Sequence, residues 1–135
     1  MLEKYFKNAS EKFAKPFVLV LAKFRIKPNT VSILGLIIVL LGSYFFYVDN
    51  KFLGIILIFL GSAVDGLDGP YARYQNLVSE RGAVLDSFID RLGELFIWSV
   101  VAIGFTSNDI ELFIVLSILV ASNLIPYIRA KSESY

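Results

Sequence analysis

The chain has 135 residues, 56% of them hydrophobic, with a formal net charge of +1 and a mean hydropathy of +0.67. It contains no cysteine and no histidine, which excludes disulfides, thiolate zinc sites, Cys or His nucleophiles and imidazole bases. A bound metal must then be held by oxygen, and Mg2+, Mn2+ and Ca2+ are the candidates.

The length suits one domain, residues 1–135. Its apolar residues fall into long blocks separated by short polar joints, the pattern of membrane spans. Met1 to about Lys23 reads as an amphipathic helix on the membrane surface. Leu2, Tyr5, Phe6, Phe13, Phe17, Val20 and Leu21 lie mostly on one side, and the lysines mostly on the other. Pro16 should kink it, and a basic leader that only orients the protein is an equal reading. Without a small-residue cleavage site it is not read as a signal peptide. Ile26-Lys27-Pro28-Asn29-Thr30 breaks the chain and offers N-caps for the next helix.

The first span is expected from about Thr30 to Val48, and the second from Phe52 to Val64, continuing through a run of aspartates to about Arg73. A polar loop from Tyr74 to Arg81 leads to a third helix, Gly82 to Phe105, and a fourth follows from Ile110 to Ile128. The expected fold class is all-α: an integral membrane helical bundle of four transmembrane helices preceded by the surface helix. Seven Lys and Arg residues precede the first span. Arg73 and Arg81 lie between helices two and three, Arg129 and Lys131 follow helix four, and the other two joints share only Lys51. The positive-inside rule therefore predicts a multi-pass cell-membrane protein with both termini and the two–three loop in the cytoplasm.

That loop joins the residues that carry chemistry. Asp65 and Asp68 are spaced i,i+3, and Asp86 and Asp90 i,i+4, so each pair shares a helix face. Four carboxylates meeting at a membrane interface would repel strongly and cost several kcal/mol each if unpaired. A divalent cation is the expected compensation, Mg2+ or Mn2+, as two ions. Gly69 and Ala72 either let helices pack closely or leave room for a bulky ligand. Arg73 is suited to phosphate oxygens, or to snorkelling at the interface. The plain alternative is that all four aspartates are surface carboxylates at helix ends.

The spacing D-x2-D-G-x2-A-R-x8-G-x3-D-x3-D is complete here, from Asp65 through Gly82 to Asp90. It resembles the signature of the CDP-alcohol phosphotransferase family. The basic N-terminal helix and Pro28-Asn29-Thr30 look like that family too. The resemblance implies transfer of a phosphatidyl-type group from a CDP-linked lipid to a small polar alcohol, with release of CMP. It implies metal binding by Asp65, Asp68 and Asp86, with Asp90 as proton acceptor and a further metal ligand. Gly69, Ala72 and Arg73 would bind the CDP-lipid, with Ser79, Asn29 and Thr30 as further contacts or simply loop and capping residues. Arg129 and Lys131 would suit a phosphorylated acceptor, best matched by inositol phosphate, or serve only the positive-inside rule. Arg91 is expected to point away from the Asp90 face.

Members of that family usually have six membrane helices, so the last two would be missing from this chain. The resemblance also implies a homodimer, and no nucleic-acid partner is expected. Competing readings are a phosphatidylglycerophosphate- or phosphatidylserine-type synthase, an intramembrane prenyltransferase, and a divalent-cation carrier. A carrier should continue its polar residues along one path through the bilayer, whereas helices one and four offer mainly Ser, Gly and Asn123.

Overall fold

Helices occupy the apolar blocks, and the joints are tight. The structure, a computed structural model, describes residues 14–132, and regular structure among them is helical throughout. Helix α1 is described over residues 14–23, followed by α2 (Pro28–Tyr47), α3 (Lys51–Asp65), α4 (Asp68–Tyr74), α5 (Glu80–Phe105) and α6 (Asp109–Ser132). Three stretches are long and apolar enough to cross a membrane: α2, the α3–α4 unit over Lys51–Tyr74, and α6 over Asp109–Arg129. The remaining expected span, α5, has 26 residues, or about 39 Å at 1.5 Å per residue, enough for a hydrocarbon core of about 30 Å. The stretch from Glu80 to Glu94 carries Glu80, Arg81, Asp86, Asp90, Arg91 and Glu94, so apolarity alone does not mark it as a span.

Several boundaries differ from expectation, each for a local reason. Helix α2 starts at Pro28, with Lys27 as its N-cap and no side-chain cap bond. Proline suits the first helical position because its missing N–H would have had no partner there. Asn29 and Thr30 therefore occupy the first turn and are not caps. The second helix does not run unbroken to Arg73: α3 ends at Asp65, and α4 restarts at Asp68 after Gly66 and Leu67. Helix α5 begins two residues early, at Glu80, because the Ser79 hydroxyl accepts the Gly82 N–H at 3.1 Å.

Three turns close the helices before them in the same way, with a left-handed residue at Arg25, Asp49 and Asn76. In each, the next N–H reaches back five residues: Ile26 to Leu21, Asn50 to Phe45 and Leu77 to Ala72. These are Schellman closures without glycine. Asp49 and Asn76 are residue types that tolerate this backbone, whereas Arg25 carries a cost of about 1 kcal/mol or more.

Helix α2 is central, packed against α3, α5 and α4, while α6 rests on α5. Its approach to α3 is close because glycines face each other. A Cβ on Gly42 would lie 2.9 Å from the Gly54 carbonyl oxygen, and one on Gly61 2.7 Å from that of Gly35. Small residues of this kind let membrane helices gain dispersion contacts where the lipid supplies no hydrophobic drive. At one end of the bundle Phe46 stacks on Phe105, ring centroids 5.3 Å apart.

At the other end Ala14 and Val18 of α1 pack with Val31 and Tyr71. Tyr71 is 0% exposed. Its hydroxyl donates to the Ile26 carbonyl at 2.5 Å and accepts from Gln75 Nε2 at 2.9 Å, which ties α4 to the turn before α2. The apolar side expected for α1 divides in two. Ala14, Val18, Leu21 and Ala22 face the protein, whereas Phe17 and Val20 are 59% and 55% exposed, an apolar strip available to lipid. The expected surface-helix residues Leu2, Tyr5, Phe6 and Phe13 lie outside the described residues.

Candidate active site and metal centre

The two-residue break after Asp65 and the start of α5 bring three motif aspartates to one place. Asp65 ends α3, Asp68 opens α4, and Asp86 lies in the second turn of α5. One carboxylate oxygen from each lies within 4.8 Å of the others, and all three residues are half-buried. Asp90, one turn further along α5, is exposed and stands outside this triad. It still interacts with both Asp65 and Asp86.

Like charges about 4 Å apart repel by roughly 4 kcal/mol per pair near a protein surface, so the bare cluster needs a cation. The Asp65 Oδ1 atom is buried and has no hydrogen-bond partner among the described residues. A buried acceptor without a donor, inside a set of oxygen-only ligands, fits a divalent metal ion.

Neighbouring residues set the carboxylates in place. The Ser32 hydroxyl, on α2, donates to Asp68 Oδ2. A Cβ on Gly35 would lie 2.8 Å from Asp65 Cβ, so the glycine allows the end of α3 to sit against α2.

The aspartates stand between two cavities. The first, of about 310 Å³, is lined by Asp68 and Asp86 together with Asn29, Gly69, Ala72, Arg73 and Ser79. Five of the six expected CDP-lipid contacts are thus gathered in one cavity, which Gly82 lines as well; only Thr30, exposed in the first turn of α2, is not among them. Gly69 leaves open space, since a Cβ there would meet only the Arg73 guanidinium, at 3.5 Å. Ser79 both caps α5 and lines this cavity.

The second cavity, of about 460 Å³, is lined by Asp65 and Asp90 and, deeper along α5, by Arg91, Glu94 and Trp98. This corrects the expected direction of Arg91, whose long side chain reaches the same cavity as Asp90 although the helix turns about 100° between them. Its guanidinium pairs with Glu94 at 2.5 Å and donates to the Ser122 carbonyl of α6 at 3.2 Å. Arg129 and Lys131 are exposed in the last turn of α6 and line neither cavity.

Three contributors were missed in the sequence: Ser32, Gly35 and Glu94. Glu94 continues the four-residue spacing of Asp86 and Asp90, and Ser32 is a hydroxyl near the start of an apolar span. Both signals were readable. Gly35 had no local mark.

Comparison with known proteins places the chain in a family. A family model described as CDP-alcohol phosphatidyltransferase matches residues 25–133. The chain is 37% identical over 113 residues to an archaetidylinositol phosphate synthase of Pyrococcus horikoshii, covering 84% of this chain and 58% of that protein. It is 30% identical over 138 residues to a phosphatidylinositol phosphate synthase of Streptomyces avermitilis, covering 99% and 57%. Crystal structures of the Mycobacterium tuberculosis phosphatidylinositol phosphate synthase share the fold. The complex with manganese and citrate has a TM-score of 0.77 at 29% identity, over 90% of this chain and 60% of that one. The form with CDP-DAG bound also scores 0.77, at 28% identity, over 91% and 64%. The chain therefore spans about three-fifths of the length of these relatives. With the family model covering most of its length and the aspartates assembled as described, this membrane protein belongs to the CDP-alcohol phosphatidyltransferase family.

Proposed function

We propose that the chain transfers a phosphatidyl-type group from a CDP-linked lipid to an alcohol, releasing CMP, as a step of phospholipid biosynthesis. The observation that carries this reading is the convergence of Asp65, Asp68 and Asp86 beside a cavity lined by Gly69, Ala72 and Arg73. Asp65, Asp68 and Asp86 would hold Mg2+ or Mn2+, as two ions, with Asp90 as a further ligand. When bound, the ions offset negative charge on the diphosphate and on the departing CMP.

The remaining chemistry belongs to the side chains. Arg73 binds phosphate oxygens, and the missing side chain at Gly69 with the small one at Ala72 leaves space for the nucleotide. Asn29 and Ser79 extend the same wall, with Thr30 as an outer contact. The acceptor hydroxyl approaches from the Asp90 side. Its oxygen forms a bond to the lipid-bearing phosphorus, the bond from that phosphorus to the bridging oxygen breaks, and CMP leaves. Asp90 takes the hydroxyl proton; its exposure and its place on the second cavity support that role.

The acceptor proposed is inositol phosphate, in keeping with the names of the relatives from P. horikoshii and S. avermitilis. Arg129 and Lys131 are its proposed phosphate contacts. Ser122 stands beside Arg91, and Arg129 lies seven residues nearer the C-terminal end of α6, about 10 Å along the helix. That displacement is toward the end of the bundle where α5 begins. The basic residues at that end support a cytoplasmic orientation of the site, and a homodimer is proposed on family grounds. A cation path is disfavoured, because the acidic series on α5 ends at a Glu94 already paired with Arg91.

The test is CMP release from a CDP-lipid by purified protein in detergent with Mg2+ or Mn2+, run in parallel with inositol phosphate, glycerol phosphate, inositol and serine. Metal-dependent release with inositol phosphate alone is expected. Release with another acceptor corrects the substrate. Failure with all four, in a folded protein that binds the metal, removes the transferase reading for this chain.

A further inference from the structure

We infer that Ser32 is a positioning residue for the metal centre, acting through Asp68 across the α2–α4 boundary. The inference rests on the metal-centre reading above. Ser32 is 2% exposed, so water does not satisfy its hydroxyl. A serine hydroxyl has one proton to donate, and two acceptors lie near it: Asp68 Oδ2 and the Pro28 carbonyl at 3.5 Å. A bond to a carboxylate is charge-assisted and about twice as strong as one between neutral groups. The proton therefore goes to Asp68, and the carbonyl of the preceding turn is only the fallback.

This choice has a consequence for the cluster. Asp68 opens a seven-residue helix that follows a two-residue turn, so its own element holds it weakly. Ser32 sits on α2, the helix against which α3, α4 and α5 all pack. By engaging Oδ2, it limits rotation of the carboxylate that Asp68 contributes to the triad with Asp65 and Asp86. Partners that hydrogen-bond a metal-ligating carboxylate typically contribute a factor of about 10–100 to metal affinity.

Mn2+ binding to the metal-stripped, purified full chain in detergent, followed by electron paramagnetic resonance, tests this. Thermal unfolding without metal serves as the folding control. Ser32→Ala should weaken Mn2+ affinity by about 10–100-fold while the metal-free unfolding temperature stays close to that of the parent. Activity should return at high Mn2+, with the KM for CDP-lipid little changed. Ser32→Thr, which keeps the hydroxyl, should retain most of the affinity. Mn2+ affinity unchanged in the alanine variant overturns the inference, as does a loss of affinity matched by an equal loss of stability and not restored by excess metal. If the parent chain binds no Mn2+, the metal-centre reading itself falls, an outcome distinct from equal binding by parent and variant.

Discussion

Gly35 and Asp65 are in backbone-level contact: a Cβ on the glycine would fall 2.8 Å from Asp65 Cβ and 2.9 Å from the Asp65 nitrogen. The position of the first motif aspartate is therefore set by a residue 30 positions earlier in the chain, on a different helix. Gly35→Ala should force α2 and the end of α3 apart, costing about 1–3 kcal/mol in stability, as overpacking does. It should also lower metal affinity. Gly69→Ala is the contrast, because space beside it is open; it should leave stability unchanged and raise the KM for CDP-lipid. Thermal unfolding and CMP release, measured on both variants, check the pair. Equal stability losses would contradict it.

Asp86 and Asp90 are one turn apart on α5, yet only Asp86 belongs to the close triad. Asp86→Asn should therefore lose most Mn2+ binding together with turnover. Asp90→Asn should retain much of the binding while turnover falls by about 10²–10⁴-fold, the usual contribution of a general base. Direct Mn2+ titration beside CMP release separates the two, and normal turnover in Asp90→Asn would remove the proton-acceptor assignment.

Arg73 stands on the wall of the donor cavity with Gly69 and Ala72. Arg73→Ala should weaken CDP-lipid binding by about tenfold or more, the scale of a charge-assisted hydrogen bond of 1.5–3 kcal/mol. Arg73→Lys should recover only part, since a point charge does not reproduce the planar guanidinium. Equilibrium binding of a CDP-lipid in the presence of Mg2+ provides the measurement; unchanged affinity in the alanine variant would exclude a phosphate role.

Arg91 pairs with Glu94 and also holds α6 through the Ser122 carbonyl. Removing the cation leaves a half-buried carboxylate without its partner, so Arg91→Ala should be strongly destabilising, by about 3–5 kcal/mol in the buried limit and less here because both groups are partly exposed. Adding Glu94→Gln to that variant should restore part of the loss. Unfolding of the two single variants and the double variant gives the coupling directly, and strictly additive losses would show that the pair contributes nothing as a pair.

Most of the helical layout and the identity of the aspartates were legible in the sequence. Long apolar blocks can bury their backbone polar groups in lipid only as helices, so α2, α3–α4 and α6 are marked by composition. The i,i+3 and i,i+4 spacings mark Asp65 with Asp68 and Asp86 with Asp90 as same-face pairs. Less legible were the turns. Three helices close on Arg25, Asp49 or Asn76 without the glycine that usually announces such an end. The split face of α1 was also hidden, since apolar periodicity does not distinguish a residue facing protein from one facing lipid.

By itself, the sequence determined which elements are helices, which of them suit a membrane, and which carboxylates would need a cation. Local spacing and transfer free energy settle those matters within one segment of chain. Only the tertiary structure decided that Asp65, Asp68 and Asp86 form the close triad while Asp90 stands apart, that Arg91 turns into the Asp90 cavity, and that Ser32 and Gly35 place Asp68 and Asp65. Those relationships depend on how closely α2 approaches its neighbours. That distance is fixed by packing among residues far apart in the chain, which no local pattern encodes.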